Sequence, residues 1–176
     1  MQDLIKKAKN IKLVIFDVDG VLTDGSLYVT ESGEEIKAFN SRDGHGLKML
    51  QSSGVIVAII TGRTSNIVAH RMKELGIENV YQGIKHKYPA FVDLVQKLDL
   101  TPEQTAYVGD DIVDLPVMSH VGLAIAVQDA HEFVKKHSHW QTPSVGGRGA
   151  ARDVCEFIMD AQGNLQAELQ SYLNKS

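Results

Sequence analysis

Residues 12 to 25, KLVIFDVDGVLTDG, constrain this chain more than any other stretch, because an unbroken apolar run stops at two carboxylates, Asp17 and Asp19, with a single residue between them. Leu13 to Phe16 follow one another without polar alternation, as in a strand buried on both faces of a parallel sheet. Such a strand delivers Asp17 to its carboxyl end, the edge at which open α/β sheets bind ligands. Gly20 then lets the backbone turn close to whatever is bound there. The pattern recurs: Val55 to Ile60 runs into Thr61-Gly62-Arg63, and Ala106 to Gly109 runs into Asp110-Asp111. Between these runs lie segments with helical periodicity, at 65–75 closed by Gly76, at 88–98 and at 150–159. Strands alternating with helices of these lengths predict a doubly wound α/β fold, a mainly parallel sheet of four or five strands flanked by helices with right-handed crossovers.

Two carboxylates as close as Asp17 and Asp19 repel, and each disfavours ionisation of the other unless a cation intervenes. Mg²⁺ suits the need, being a hard ion commonly held by one or two carboxylates, waters and a substrate phosphate. Asp and Gly are also ordinary turn residues, so D-x-D-G alone is equally compatible with a capped turn. The downstream acidic group Asp110, Asp111 and Asp114 weighs against that, since three carboxylates together also call for a counter-cation.

At 176 residues and 43% hydrophobic composition the chain is expected to form one domain over 1–176. A formal net charge of -4 provides no positive field for a nucleic acid backbone. No apolar run is long enough to cross a membrane, and MQDLIKKAKN lacks a secretory pattern, so a cytoplasmic protein is expected. The single cysteine, Cys155, excludes an internal disulfide and reads as helix packing. Residues 27–31 and 35–39 flank Ser32-Gly33-Glu34 and predict a protruding β-hairpin over 27–39. Its Leu27, Val29, Ile36 and Phe39 offer apolar area that a small core does not obviously cover, which points to burial between subunits. Asn40 to Gly46 is polar and glycine-rich and is expected to be a ligand loop.

The set Asp17, Asp19, Thr61, Lys87 and Asp110 resembles the four motifs of the haloacid dehalogenase superfamily, and the resemblance covers nearly the whole chain. It implies Asp17 as nucleophile, Asp19 as acid/base, Thr61 as a donor to the phosphoryl group and Lys87, in preference to Lys85, as the neutralising cation. It further implies Mg²⁺ held by Asp17, the Asp19 carbonyl and Asp110, with Asp111 and Asp114 as acidic neighbours that orient the site. The stretch DVDGVLTDG and the GRG near the C-terminus are most similar to capless members that work as tetramers. The intervals between motifs leave no room for an inserted cap, so a neighbouring subunit is expected to complete each site. Arginine binds carboxylate and phosphate bidentately. The substrate side is therefore expected to involve Arg63, Arg71, Arg42 and Arg148 with Asn40, Ser41, Asp43, Gly44 and Gly62. The implied substrate is a small phosphorylated sugar acid, 3-deoxy-D-manno-octulosonate 8-phosphate, with an acylneuraminate 9-phosphate or a non-catalytic metal-binding assembly module as alternatives. The glycines around Arg148 suggest a segment that moves over a ligand.

Overall fold

The computed structural model describes residues 2–174. In chain order the elements are α1 (Gln2–Lys9), β1 (Leu13–Phe16), β2 (Tyr28–Val29), β3 (Glu35–Ile36), α2 (Ser41–Ser52), β4 (Ile56–Ile60), α3 (Asn66–Glu74), β5 (Asn79–Tyr81) and α4 (Lys87–Lys97). After a 3₁₀ turn at Pro102–Gln104 come β6 (Thr105–Gly109), a second such turn at Ile112–Asp114, α5 (Leu115–Met118), β7 (Leu123–Ala126), α6 (Glu132–Lys136), β8 (Trp140–Gln141), α7 (Ala150–Ala161) and α8 (Leu165–Leu173). Six strands form one parallel sheet in the order β5-β4-β1-β6-β7-β8. The winding reverses at β1, with β4 on one side and β6 on the other, and the crevice at such a switch point is where these sheets bind ligands.

Leu13, Val14, Ile15 and Phe16 are fully buried, and each apolar side chain so placed contributes about 1.5–3 kcal/mol. The strand is therefore a rigid mount for Asp17 at its end. Phe16 pairs with Ile59 on one side and Val108 on the other. That register brings Asp17, Thr61 and Asp110 to adjacent strand tips, as the apolar runs predict.

Three expectations need correction. Asn40 to Gly46 is not a loop: Asn40 caps α2, its side chain accepting from the Arg42 and Asp43 amides at 2.8 and 3.4 Å, and 41–46 are the first turns of that helix. The glycines serve packing there. A Cβ on Gly44 would stand 2.4 Å from Arg71 Nη2, and one on Gly46 would stand 2.8 Å from Arg152 Cδ in α7. The hairpin pairs only Tyr28 with Ile36 and Val29 with Glu35, around Gly33 at φ +84°. Phe39 packs against the core instead of joining the hairpin face, and Tyr28 takes its place among the exposed apolar residues, with Leu27, Val29 and Ile36. Finally, the sheet has a sixth strand, β8, a two-residue edge element that carries no periodic signal. No helix among the described residues is long and apolar enough to cross a membrane.

Candidate active site

The tips of β1, β4 and β6 and the start of α4 enclose an open cleft of about 360 Å³ lined by Asp17, Asp19, Thr61, Gly62, Arg63, Lys85, Lys87, Asp110 and Asp111, among others. Asp17 is buried and fixed at both oxygens. Oδ1 accepts from the Val18 amide at 2.7 Å, and Oδ2 lies 2.8 Å from Lys87 Nζ. Lys87 is buried as well and stands between two carboxylates, the second being Asp114 Oδ1 at 2.6 Å. The structure thus places Lys87, and not Lys85, against Asp17.

Asp114 lies beneath the cleft floor with no solvent exposure. Its Oδ1 also accepts from the Tyr107 hydroxyl at 2.8 Å, while Oδ2 accepts from the Asp110 and Asp111 amides at 3.0 and 3.3 Å. A buried carboxylate is tolerable when its lone pairs are filled in this way. Asp114 consequently orients its neighbours: it aims Lys87 at Asp17 and sets the backbone that presents Asp110. Asp111 caps the 3₁₀ turn through the Ile112 amide at 2.7 Å. Gly109 is required beside Asp114, because a Cβ there would meet Asp114 Cβ at 2.6 Å.

The acidic groups are short of positive charge. Burial first, then the Asp114 charge, pushes Asp17 up to about 6 against the opposing pull of Lys87. Burial, then Asp114, Asp17 and Asp111, pushes Asp110 up to about 8. Burial works against the Lys87 ammonium, but Asp114 and Asp17 outweigh it and raise its pKa. One ammonium does not balance these carboxylates. Oxygens of Asp17, Asp110 and Asp114 come within 4.8 Å of one another. With the Asp114 oxygens committed to four donors, Asp17 and Asp110 are the carboxylates with capacity left for a cation. The Asp19 carbonyl, two residues from Asp17, accepts no hydrogen bond among the described residues. This all-oxygen donor set fits a hard divalent ion. Gly20, at φ +89°, passes so close that a Cβ would fall 2.1 Å from Asp110 Oδ2.

The Thr61 hydroxyl makes no hydrogen bond among the described residues and lines the cleft. Asn40, Ser41, Arg42, Asp43, Gly44, Arg71 and Arg148 lie outside its lining. Asp43 is buried, and its oxygens accept from the Gly149 and Arg152 amides at 3.1 and 2.9 Å, which caps α7. Burial raises its pKa despite those two donors. Arg71 bonds Glu74 at 3.2 Å and keeps a buried Nε without an acceptor among the described residues. Arg148 has a side chain 67% exposed, 3.5 Å from Asp24 Oδ2. The glycines preceding it provide close approach where the sequence suggested mobility. Cβ atoms on Gly146 and Gly147 would meet Gly20 O at 1.8 Å and Thr23 C at 2.3 Å, and the Gly147 amide donates to Val21 O at 2.8 Å. Sequence reasoning missed Tyr107 and the hairpin pair Glu35 and Lys37. Glu35 and Lys37 flank Ile36 with period-2 spacing, so the exposed apolar side chain between them marks the opposite face.

A family model described as haloacid dehalogenase-like hydrolase matches residues 79–152. The 3-deoxy-D-manno-octulosonate 8-phosphate phosphatase of Escherichia coli (strain K12) is 52% identical over 163 residues, covering 93% of this chain and 87% of that protein. The crystal structure of the phosphatase of that name from Moraxella catarrhalis, in complex with magnesium ion, phosphate ion and KDO, superposes with a TM-score of 0.96 at 44% identity, covering 98% of this chain and 99% of that one. The cobalt-bound deoxy-D-mannose-octulosonate 8-phosphate phosphatase from Haemophilus influenzae gives a TM-score of 0.91 at 44% identity, covering 95% of this chain and 99% of that one.

Proposed function

This chain belongs to the haloacid dehalogenase-like hydrolases, and from that membership we propose that it hydrolyses 3-deoxy-D-manno-octulosonate 8-phosphate to the free sugar acid and inorganic phosphate. The observation that carries the reading is the buried chain Asp17–Lys87–Asp114, with Asp110 beside it, at the floor of the cleft. A turn or surface salt bridge has no use for an acidic cluster so deficient in positive charge. Intact acid, base and lysine positions equally disfavour a non-catalytic assembly module.

Asp17, Asp110 and the Asp19 carbonyl would hold Mg²⁺, which supplies charge stabilisation to the transferring phosphoryl oxygens. Lys87 neutralises charge on the same group, and the free Thr61 hydroxyl donates to it. An Asp17 oxygen forms a bond to phosphorus as the ester oxygen departs, taking a proton from Asp19. Water then attacks the aspartyl phosphate while Asp19 accepts its proton, releasing phosphate and restoring Asp17. Dividing the hydrolysis in this way replaces one difficult step with two easier ones. Arg63 at the rim is assigned to the sugar carboxylate; Arg71 and Arg148, which lie outside the cleft of their own chain, are assigned to it across the contact between copies. We assign the exposed apolar residues of the hairpin, Leu27, Tyr28, Val29 and Ile36, to contact between copies in a homotetramer, which sedimentation measures directly.

The test is rapid-quench labelling with the sugar acid phosphate. Wild-type enzyme with Mg²⁺ should give an acid-stable, base-labile phosphoenzyme, and Asp17→Asn should give none while keeping its fold. Wild-type turnover by Asp17→Asn, or full activity after chelation, defeats the assignment.

A further inference from the structure

The Asp19 side chain, which has to give and take a proton, is held by the hairpin. Lys37, just beyond β3, has a side chain only 1% exposed, and its ammonium bonds Asp19 Oδ1. The same Nζ lies 3.2 Å from Glu35 Oε1. Glu35 Oε1 in turn accepts from Arg63 Nη2 at 2.7 Å, and Arg63 Nε lies 3.7 Å from Asp19 Oδ2. Anion and cation alternate around a closed ring: Asp19, Lys37, Glu35, Arg63.

The members of the ring are not equivalent. Arg63 is half exposed, and contacts between exposed charges are worth about 0–1 kcal/mol. The Lys37 side chain is closed off from solvent, and a buried ammonium is tolerated when carboxylates pair with it, so removal of one partner is strongly unfavourable. Of the two contacts to Asp19, the one from Lys37 therefore decides where the carboxylate sits. It takes Oδ1. That leaves Oδ2, whose nearest cation is beyond hydrogen-bond distance, as the oxygen able to exchange a proton with the ester or with water. A protonated Asp19 can still accept from Lys37 at Oδ1, so the contact persists through both halves of the reaction.

We propose that Lys37 is a positioning residue for the acid/base: it fixes the Asp19 carboxylate through Oδ1 and presents Oδ2 to the leaving oxygen. This rests on the reading of Asp19 given above. The competing explanation is that the ring only stitches the hairpin to the core. The two differ in leaving-group dependence. An alkoxide needs a proton as it departs, whereas p-nitrophenolate leaves without one, so a misplaced acid slows only the first kind of ester. Neither 2-glycerophosphate nor p-nitrophenyl phosphate carries a carboxylate, so arginine recognition of the sugar acid does not enter the comparison.

The experiment measures the single-turnover rate of phosphoenzyme formation from both esters in Mg²⁺-loaded wild type, Lys37→Met, Asp19→Asn and the double variant. General acid catalysis typically contributes ~10²–10⁴-fold, and loss of alignment forfeits part of it. Lys37→Met should lose about 10- to 100-fold on 2-glycerophosphate and about threefold or less on p-nitrophenyl phosphate. It should add nothing to Asp19→Asn on either ester, because a residue acting through another is silent once that other is gone. Equal losses on the two esters, or additive losses in the double variant, overturn the proposal and leave a structural stitch. If Asp19→Asn itself shows no leaving-group dependence, it is the acid/base reading that fails. Should Lys37→Met not fold, Lys37→Gln keeps a donor in the buried site; it should show the same selective loss, smaller in size, and a loss equal on both esters again overturns the proposal.

Discussion

Replacing Asp114 by asparagine is the sharpest test of how the cleft is held together. The change is nearly isosteric, so cavity formation does not enter. The carboxylate accepts four donors, Lys87 Nζ, the Tyr107 hydroxyl and the amides of Asp110 and Asp111. An amide has one acceptor oxygen, and its NH₂ must face one of the two donor pairs. The cheaper orientation keeps the oxygen toward Lys87 and Tyr107, leaving two backbone amides against the NH₂. A buried donor without a partner costs about 1–3 kcal/mol. Both amides are only partly buried and the Asp111 contact is the longer, at 3.3 Å, so the pair is placed in the lower half of that range each, about 2–4 kcal/mol together. Removing the charge relieves repulsion on Asp17 and Asp110, where Asp114 is the largest charge contribution to the upward shifts. It also weakens the hold on Lys87, so the two electrostatic changes oppose each other. For a chain of this size each kcal/mol moves Tm by about 2–4 °C, which gives a fall of about 4–16 °C. Thermal denaturation followed by circular dichroism in chelator reads this without interference from bound metal. Lys87, left with Asp17 as its one full ionic partner, should shift, and misalignment of this kind costs up to ~10²-fold in kcat. A Tm within about 2 °C of wild type, together with unchanged kcat, would refute the role of Asp114 as the hub.

Gly20→Ala should weaken Mg²⁺ by about tenfold or more, because its Cβ would collide with Asp110 Oδ2 and φ +89° strains any side-chain-bearing residue by about 1–3 kcal/mol; titration of activity with Mg²⁺ checks it, and an unchanged midpoint contradicts the close approach. Asp43→Ala removes a buried cap of α7 and should cost about 1–3 kcal/mol in urea denaturation, since two amides lose their acceptor. Cys155 is fully buried and its thiol pKa is raised chiefly by burial, so a thiol reagent should label it only after unfolding; rapid labelling of native protein contradicts its place in the core. Arg148→Ala should lower kcat/KM more for the sugar acid phosphate than for p-nitrophenyl phosphate, and equal losses on both would remove Arg148 from carboxylate selection.

The strand tips of the candidate site were legible because their signal is local. Leu13 to Phe16 and the run to Ile60 are continuous and apolar, and a parallel register then brings Asp17, Thr61 and Asp110 together without further information. Lys87 came from its motif, and Asp114, the first of the carboxylates that offset the burial of its ammonium, lies twenty-seven positions away. Asn40 to Gly46 was misleading for a physical reason. Two glycines within seven residues lower helix propensity, yet each sits where α3 or α7 leaves no room for a Cβ. Packing of those helices outweighs local preference. The Glu35–Lys37 contacts were invisible for a different reason: the period-2 spacing about Ile36 marks the face they share, but their partners Asp19 and Arg63 lie in other parts of the chain.

The segment around Arg148 shows how the same glycines support opposite expectations. Read as sequence, they lower the barrier to motion. In the fold, Gly146 and Gly147 lie on the backbone of residues 20–23, the Gly146 amide bonds Asp129 Oδ1 at 2.9 Å, and Asp43 holds the Gly149 amide. The backbone is thus fixed on both sides of the arginine and pressed against the loop that carries Asp19 and Gly20. What holds the Arg148 side chain is a 3.5 Å contact to Asp24 in an exposed setting, worth about 0–1 kcal/mol. Any adjustment toward a substrate therefore falls to the guanidinium and its stem, while the main chain stays in register with the catalytic loop. A rigid backbone with a loosely held cation loses less conformational entropy on binding than a mobile loop would, and an anion drawn to Arg148 would have only the weak Asp24 contact to displace.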